Sequence, residues 1–195
     1  RVGFAATTTE LVRREAGVSR GAMLHHFPTK VDLVMAVAEH AAVAQDVHVR
    51  QRLSGFSEGL DRYLAITQAT WEATCQPPAI ALIEIIVASR SDTHLGGRLR
   101  SVVERFETQQ REDVWAVASE TGVRDRDAVE RMIRLHAAAL RGLVMERLFT
   151  GQREPAEASV ELLEWYKRSL TSVLVARRSG PLFAPSSRAG SDRGH

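Results

Sequence analysis

Apolar residues recur every three or four positions along most of the chain, and this spacing is typical of one buried face of an α-helix. It predicts a helix up to Ala16, a short helix over about Ser19–Phe27, and a longer helix that carries Leu33, Val37 and Ala41. The later stripes are Phe56, Leu60, Leu64, Thr67, Trp71; Leu99, Val103, Phe106, Gln110, Val114, Val117; Val129, Ile133, His136, Leu140, Leu143, Arg147; and Leu162, Tyr166, Leu170, Val173. Because no run alternates with the period of a strand, we predict an all-α fold.

Glycine, proline and small polar residues mark where these helices end. The predicted breaks are Pro28-Thr29-Lys30, Ser54-Gly55, Pro77-Pro78, Asp92 to Gly97, Thr121-Gly122 and Thr150-Gly151. Pro77-Pro78 and Pro155 each suit the first turn of a following helix. Residues 79–89 are apolar on nearly every side, so we expect a buried helix there. The tail from Ser179 is rich in Gly, Pro, Ser and Arg, and we predict that it is disordered.

The composition is that of a soluble helical protein and excludes several classes. Of the 195 residues, 44% are hydrophobic and 26% charged, and the net charge is +2. No apolar run reaches the roughly 18 residues that a membrane span needs, so we expect no membrane partner. Cys75 is the only cysteine, which excludes an intrachain disulfide and suits a reducing cytoplasm. Residues 1–50 hold six Lys and Arg against five Asp and Glu, so charge alone does not indicate DNA binding.

The segment from Glu10 to Phe27 is the most informative part of the chain. Thr7 or Thr8 is placed to cap its first helix, and Gly17 supplies a turn with positive φ at little steric cost. Ser19 then caps a second helix through its hydroxyl. Two short helices joined by a tight turn that contains glycine form a helix-turn-helix, whose second helix lies in the major groove of DNA.

This region resembles the TetR family of ligand-responsive transcriptional repressors. The matching residues, at fixed spacing, are Gly3-Phe4, Thr7-Thr8, Ala16-Gly17-Val18-Ser19, Gly21, His26-Phe27, Lys30 and Leu33. The resemblance implies a helix-turn-helix domain over 1–45, a larger helical ligand-binding and dimerisation domain over 46–178, and a tail over 179–195. The family's long first helix ends near Gly3-Phe4, so we expect that helix to be truncated here.

The expected DNA contacts come from the second helix and from residues around it. The candidates are Thr7, Thr8, Ser19, Arg20, Gly21, Ala22, His25, His26 and Lys30. Arg20 can donate two hydrogen bonds to guanine, whereas Gly21 and Ala22 offer only close backbone approach and methyl contact. The resemblance implies that these three positions read bases, that the histidines lie near DNA and that Lys30 contacts phosphate. The alternative for Arg20 and Lys30 is a solvated surface cation.

Two positions depart from the family's pattern, and three others are expected in the core. Leu24 stands where the family usually has a tyrosine that contacts phosphate, and Arg13 stands where it usually has a small residue. Arg13 either reaches the phosphate backbone or disturbs tight packing. Val18, Met23 and Phe27 are expected to form the core of the small DNA-reading domain.

The larger domain contains polar or large aromatic residues on otherwise aliphatic stripes, and these are the candidates for a ligand pocket. They are Trp71, Glu84, Phe106, Gln110 and His136. The alternative for Glu84 is structural, as an ion pair with Arg90 or a water-exposed edge. Each of the other four lies on an apolar stripe, where such a residue is more often part of the core or of a dimer surface than a ligand contact. Neither a cofactor nor a metal site is predicted, because His136 has no second ligand at metal spacing.

The function predicted from these features is a homodimeric repressor that an apolar small molecule releases from a pseudo-palindromic operator. A run of small residues around Gly142 indicates a dimer interface formed by helices over roughly Val129–Leu148 and Ala156–Val175. Two alternatives stay open. One is a TetR-like activator or a regulator controlled by a protein partner. The other is a helical-bundle enzyme, for which the sequence lacks paired Glu-x-x-His ligands.

Overall fold

The computed structural model describes residues 3–177 and 182–183, and the regular structure within these ranges is helical. The helices are α1 (Gly3–Ala6), α2 (Thr9–Glu15), α3 (Arg20–His26), α4 (Lys30–Leu53), α5 (Leu60–Thr74), α6 (Pro77–Ala88), α7 (Thr93–Glu120), α8 (Arg126–Thr150) and α9 (Glu154–Ala176), with a 3-10 turn at Ser89–Ser91. The all-α prediction is therefore confirmed. None of these helices is long and apolar enough to cross a membrane.

Short polar side chains fix where the first helices begin. The amide three positions on donates to the hydroxyl of Thr8 at 3.1 Å and to that of Ser19 at 3.1 Å. Thr29 and Asp32 form a reciprocal capping box at the start of α4. Each cap satisfies an N–H group that has no partner inside its helix. The predicted caps of α2 and α3 are confirmed at Thr8 and Ser19.

The core is organised around α4 and α5. One cluster surrounds Tyr63, which is fully buried, and draws on α4, α5, α7, α8 and α9. A second joins α4, α6 and α7 around Ala38. A third joins α5, α6, α8 and α9 around Trp71 and Leu140. Among the described side chains of α1–α3, only Met23 is buried. This small unit is held to the rest through α1, which packs against α6, and through Phe4, which packs against the second cluster.

The predicted turn from Asp92 to Gly97 is wrong. Asp92 caps α7 by accepting from the Leu95 amide at 2.9 Å, and both glycines lie inside the helix. A Cβ at Gly96 would stand 3.0 Å from the carbonyl oxygen of Ser89, so glycine permits α7 to approach the preceding 3-10 turn closely. The predicted buried helix over residues 79–89 is α6, although Val87 on it is 51% exposed.

Two predicted apolar stripes do not face the core along their whole length. Phe56 lies before α5 and is 44% exposed, because that helix begins only at Leu60. On α9, Leu162 and Val173 are 63% and 48% exposed. The buried face of α9 instead carries Lys167, together with Val160 and Leu174. The predicted α9 stripe therefore includes residues on an outer apolar face.

The tail predicted to be disordered lies outside the described residues, apart from Leu182 and Phe183. The Leu182 amide donates to Asp125 Oδ2 at 2.6 Å. The Arg131 guanidinium stands 5.3 Å from the centroid of the Phe183 ring. Disorder of the remaining tail, like the domain limits, stays a prediction.

Lys167 is a buried cation that the apolar pattern did not predict. Its side chain donates to the carbonyl oxygen of Tyr63, and Nζ lies 4.1 Å from the centroid of that tyrosine ring. Burial lowers the pKa of Lys167 to about 7, while Glu164 acts in the opposite direction. A charged Lys167 therefore destabilises the folded state at low pH.

The Lys167→Met variant should show a weaker dependence of stability on pH. Unfolded lysine has a pKa of about 10.4, whereas the folded pKa is about 7. Between these values the unfolded state binds the extra proton, so this lysine makes the free energy of unfolding fall as pH falls. That contribution is absent in the methionine variant. Urea unfolding of both proteins from about pH 7 to about pH 10 measures it.

Lys30→Met is the matched control, because Lys30 is the chain's other lysine and is exposed. Its stability should run parallel to that of the parent protein across the same pH range. Parallel curves for the Lys167→Met variant would contradict the prediction.

Candidate DNA interface and effector cavity

The helix-turn-helix forms as its local sequence requires. α2 ends at Glu15, and Gly17 turns the chain with φ +65°. The Gly17 amide donates to Arg14 O at 3.1 Å, and the Val18 amide donates to Arg13 O at 3.3 Å. α3 begins at Arg20, directly after its Ser19 cap. A short turn with a left-handed glycine thus sets the angle between the two helices.

Arg13 holds this turn from inside α2. Its Nη1 donates to the carbonyl oxygen of Val18 at 3.0 Å, and its Nε donates to Glu10 Oε2 at 2.8 Å. Hydrogen bonding to Arg13 keeps the pKa of Glu10 below its ordinary value. Neither expectation for Arg13 describes this arrangement. The side chain binds the turn that leads into α3.

The surface of α3 presents polar and small residues around one buried anchor. Met23 is 7% exposed, whereas the residues on the other faces are open. The exposed positions are Arg20, Gly21, Ala22, Leu24, His25 and His26. The expectation that Val18 and Phe27 belong to the core is only partly met, since Val18 is 37% exposed and Phe27 is half-buried. The N-terminal turn of α3 is thus free to approach a groove.

The remaining predicted DNA contacts lie around α3. His25 and His26 are neighbours whose ring centroids are 5.3 Å apart, in an edge-to-face arrangement. Lys30, at the start of α4, has its Nζ 5.2 Å from the centroid of the Phe4 ring. The Thr7 hydroxyl donates to Gly3 O at 2.7 Å, so its hydrogen is already engaged within the protein.

Glu84 is a structural link between α6 and the DNA-reading part. Its Oε2 accepts a hydrogen bond of 2.8 Å from the backbone N–H of Phe4, eighty positions earlier in the chain. It does not line the large cavity described below. The expectation that Glu84 faces a ligand is therefore corrected. A carboxylate inside an apolar helix needs a donor, and an amide of α1 supplies it.

A cavity of about 770 Å³ lies among α4, α5, α6, α7 and α8. This volume is in the range typical of small-molecule sites. Its apolar wall includes Ala42, Leu82, Ile83, Val103 and Phe106. Of the five predicted ligand contacts, the structure brings Phe106 and Gln110 to this wall but not Trp71, Glu84 or His136.

Trp71 and His136 have structural partners. Trp71 is 4% exposed, and the Arg147 guanidinium lies 5.6 Å from its ring centroid. The ring nitrogens of His136 lie 2.9 Å from Met132 O and 3.3 Å from Leu163 O. Burial lowers the pKa of His136, which favours a neutral ring. His136 also borders a second cavity of about 40 Å³, which shares Gln110 with the larger one.

Charged residues also line the large cavity and were not predicted, among them Arg62, Arg50 and Arg141. A signal for Arg62 was present, because Arg62, Ile66 and Thr70 recur every four positions on one face of α5. No group of three or more potential metal-ligating side chains occurs within residues 3–177 and 182–183.

Comparison with known proteins shows what this chain is similar to. Residues 1–37 match the family model described as bacterial regulatory proteins of the tetR family. Over 155 residues, the chain is 29% identical to the HTH-type transcriptional regulator CymR of Pseudomonas putida. That alignment covers 80% of this chain and 76% of the relative.

We expect Arg13→Met to loosen the turn between α2 and α3. The variant loses the hydrogen bond to the Val18 carbonyl, so the amides of Gly17 and Val18 should exchange hydrogen severalfold faster. Amides in the middle of α4 should keep their protection. Hydrogen exchange followed by NMR resolves these positions.

Arg14→Met provides the control, because the Arg14 side chain is exposed and has no hydrogen-bond or ion-pair partner in the part of the chain that the structure describes. It removes the same charge without touching the turn. Equal exchange rates in the two variants would show that Arg13 does not hold the turn.

Proposed function

The chain belongs to the TetR family of DNA-binding transcriptional regulators, and from this premise we propose that it is a homodimeric repressor released from its operator by a small molecule. The observation that carries the operator-binding part is the capped α3, which presents Arg20 at its exposed first turn. Such a protein acts in the cytoplasm, where bacterial DNA lies.

We assign base reading to the N-terminal turn of α3. Recognition helices approach base edges with their first residues. Arg20 is the one side chain of this turn with several donors, so it carries most of the direct readout. Gly21 and Ala22 allow the backbone to come close. The exposed histidines and Lys30 follow this turn along the chain and contribute to phosphate binding.

The proposed dimer interface is an exposed apolar stripe on α8 and α9. The stripe on α8 follows a spacing of three and four and consists of Leu135, Ala138, Gly142, Met145 and Phe149, all exposed. Phe149 is 93% exposed, and on α9 Leu162 and Trp165 are 63% and 64% exposed. Helices with such stripes pair with a second copy, and a two-fold dimer matches a palindromic operator.

The proposed release route runs through α4. This helix lines the cavity from Ala38 to Leu53 and begins only three residues after α3 ends. A molecule that fits the cavity better in one position of α4 favours that position and the placement of α3 that goes with it. The two recognition helices then no longer match successive major grooves, which lie roughly 34–36 Å apart.

Arg20→Ala should relax sequence preference at one position of each half-site. Loss of a bidentate arginine–guanine contact costs about 1–3 kcal/mol of discrimination against the wrong base. Selection of binding sites from a random DNA library, carried out with parent and variant, measures the preference. Arg14→Ala is the control of equal charge. An unchanged preference in the Arg20→Ala variant would assign this arginine to the DNA backbone or to solvent.

Gly142→Arg should give a folded monomer that binds the operator weakly. A Cβ built at Gly142 meets no atom within 4 Å, so an arginine fits the protomer and disturbs only a partner packed on this face. Gly97→Arg is the control, because Gly97 is also helical, exposed and free of neighbours within 4 Å. Light scattering should find a monomer for Gly142→Arg and a dimer for Gly97→Arg. A monomeric parent protein at micromolar concentration would exclude the dimer.

A further inference from the structure

The charged residues of the large cavity are paired with one another, with a single exception. The acids Asp46 and Asp113 bind Arg50 at 2.9 and 3.1 Å. Glu39 lies 3.6 Å from Arg105, and Glu107 lies 3.5 Å from Arg141. Each carboxylate on the cavity wall therefore already has an arginine partner.

Arg62 is the exception. It lines the cavity, yet it has no hydrogen-bond or ion-pair partner within residues 3–177 and 182–183. Its Nε is buried and unsatisfied, although the residue as a whole is only partly buried. A buried guanidinium donor without an acceptor is costly, and native proteins usually satisfy such groups.

The position of Arg62 in α5 strengthens the positive potential at this point. It is the third residue of the helix, and the Gly59 cap contributes no side-chain hydrogen bond. The N-terminal turn of a helix carries a partial positive charge and favours anions, so a cation there gains nothing from the helix itself. Ile66 and Thr70, one and two turns further along the same face, also line the cavity.

We propose that the effector is an apolar molecule with a single carboxylate, and that Arg62 binds this carboxylate. The inference deepens the effector site proposed above and rests on it. Guanidinium and carboxylate match in a planar, bidentate arrangement. A doubly charged phosphate fits less well, because its second charge finds only paired arginines and four carboxylates nearby. The apolar wall around Ile83 and Phe106 receives the rest of the molecule.

The test compares apolar acids with their uncharged primary amides, which keep almost the same shape. The probes are naphthoate, decanoate and phenylacetate, each with its amide, in calorimetric titrations of the full chain. The parent protein should bind at least one acid more tightly than the matching amide. Arg62→Met keeps most of the apolar stem and should weaken binding of that acid by about ten- to a hundredfold. Binding of the amide should change little.

The control is Arg90→Met, which removes one exposed arginine outside the cavity and should leave the preference for the acid intact. Arg62→Gln provides a second substitution in case the methionine variant fails to fold, and thermal melts verify folding. The inference is overturned if no acid binds, if acid and amide bind equally to the parent, or if the Arg62 variants keep the preference.

Operator release is measured separately, by fluorescence anisotropy with DNA recovered from the site selection. Acids that bind through Arg62 without releasing DNA would uphold the carboxylate site and contradict ligand release. Release by neutral amides, unchanged in Arg62→Met, would uphold ligand release and contradict the carboxylate site. The two proposals therefore fail in different ways.

Discussion

The start of α4 connects the DNA-reading part of the molecule to the helices that form the cavity, and the arrangement of both depends on it. The Asp32 carboxylate accepts from the Thr29 amide at 3.1 Å through Oδ2, and from Arg98 of α7 at 2.8 Å through Oδ1. Hydrogen bonds from Thr29, and next from Arg98, hold the pKa of Asp32 below its ordinary value. One side chain therefore fixes the beginning of α4, and with it the chain leaving α3, relative to the cavity-forming helix α7.

A second link joins the same two parts at another point. Glu84 of α6 binds the Phe4 amide, and the Lys30 ammonium lies over the ring of Phe4. Since α4, α6 and α7 all line the cavity, both of these links to the DNA-reading part start from a cavity-lining helix. A shift of one of these helices would therefore act on the polar contacts that hold α1 and the start of α4.

Local signals allowed the helix-turn-helix to be predicted, while long-range packing had to be observed. Gly17, Ser19 and Thr29 act on residues no more than three positions away, so sequence spacing is enough to assign them. Glu84 was recognisable as unusual within its apolar helix, but its partner lies eighty positions away. Gly96 was wrongly assigned to a turn, because a glycine in a sequence is equally compatible with a turn and with a close approach of two backbone segments.

The cavity was the feature least predictable from the sequence, because it too depends on long-range packing. Its wall takes one face from each of five helices, and a periodic pattern cannot tell a face that packs from a face that leaves a void. Trp71 fills space, whereas Phe106 borders it, although both lie on apolar stripes. Arg62 was not predicted, because its four-residue spacing with Ile66 and Thr70 shows that the three share a face of α5 but not that this face borders a void.

The nearly neutral charge of residues 1–50 is compatible with DNA binding because two of their five acids pair with arginines of α7. Asp32 and Glu39 pair with Arg98 and Arg105, which both belong to α7. Glu10 is held by Arg13 within α2.

Arg20 and Lys30, by contrast, have no carboxylate partner among the described residues. Helix α7 thus supplies the cations that neutralise Asp32 and Glu39. The cations around α3 are left available to phosphate and base edges, and electrostatic attraction to DNA follows from placement and not from net charge.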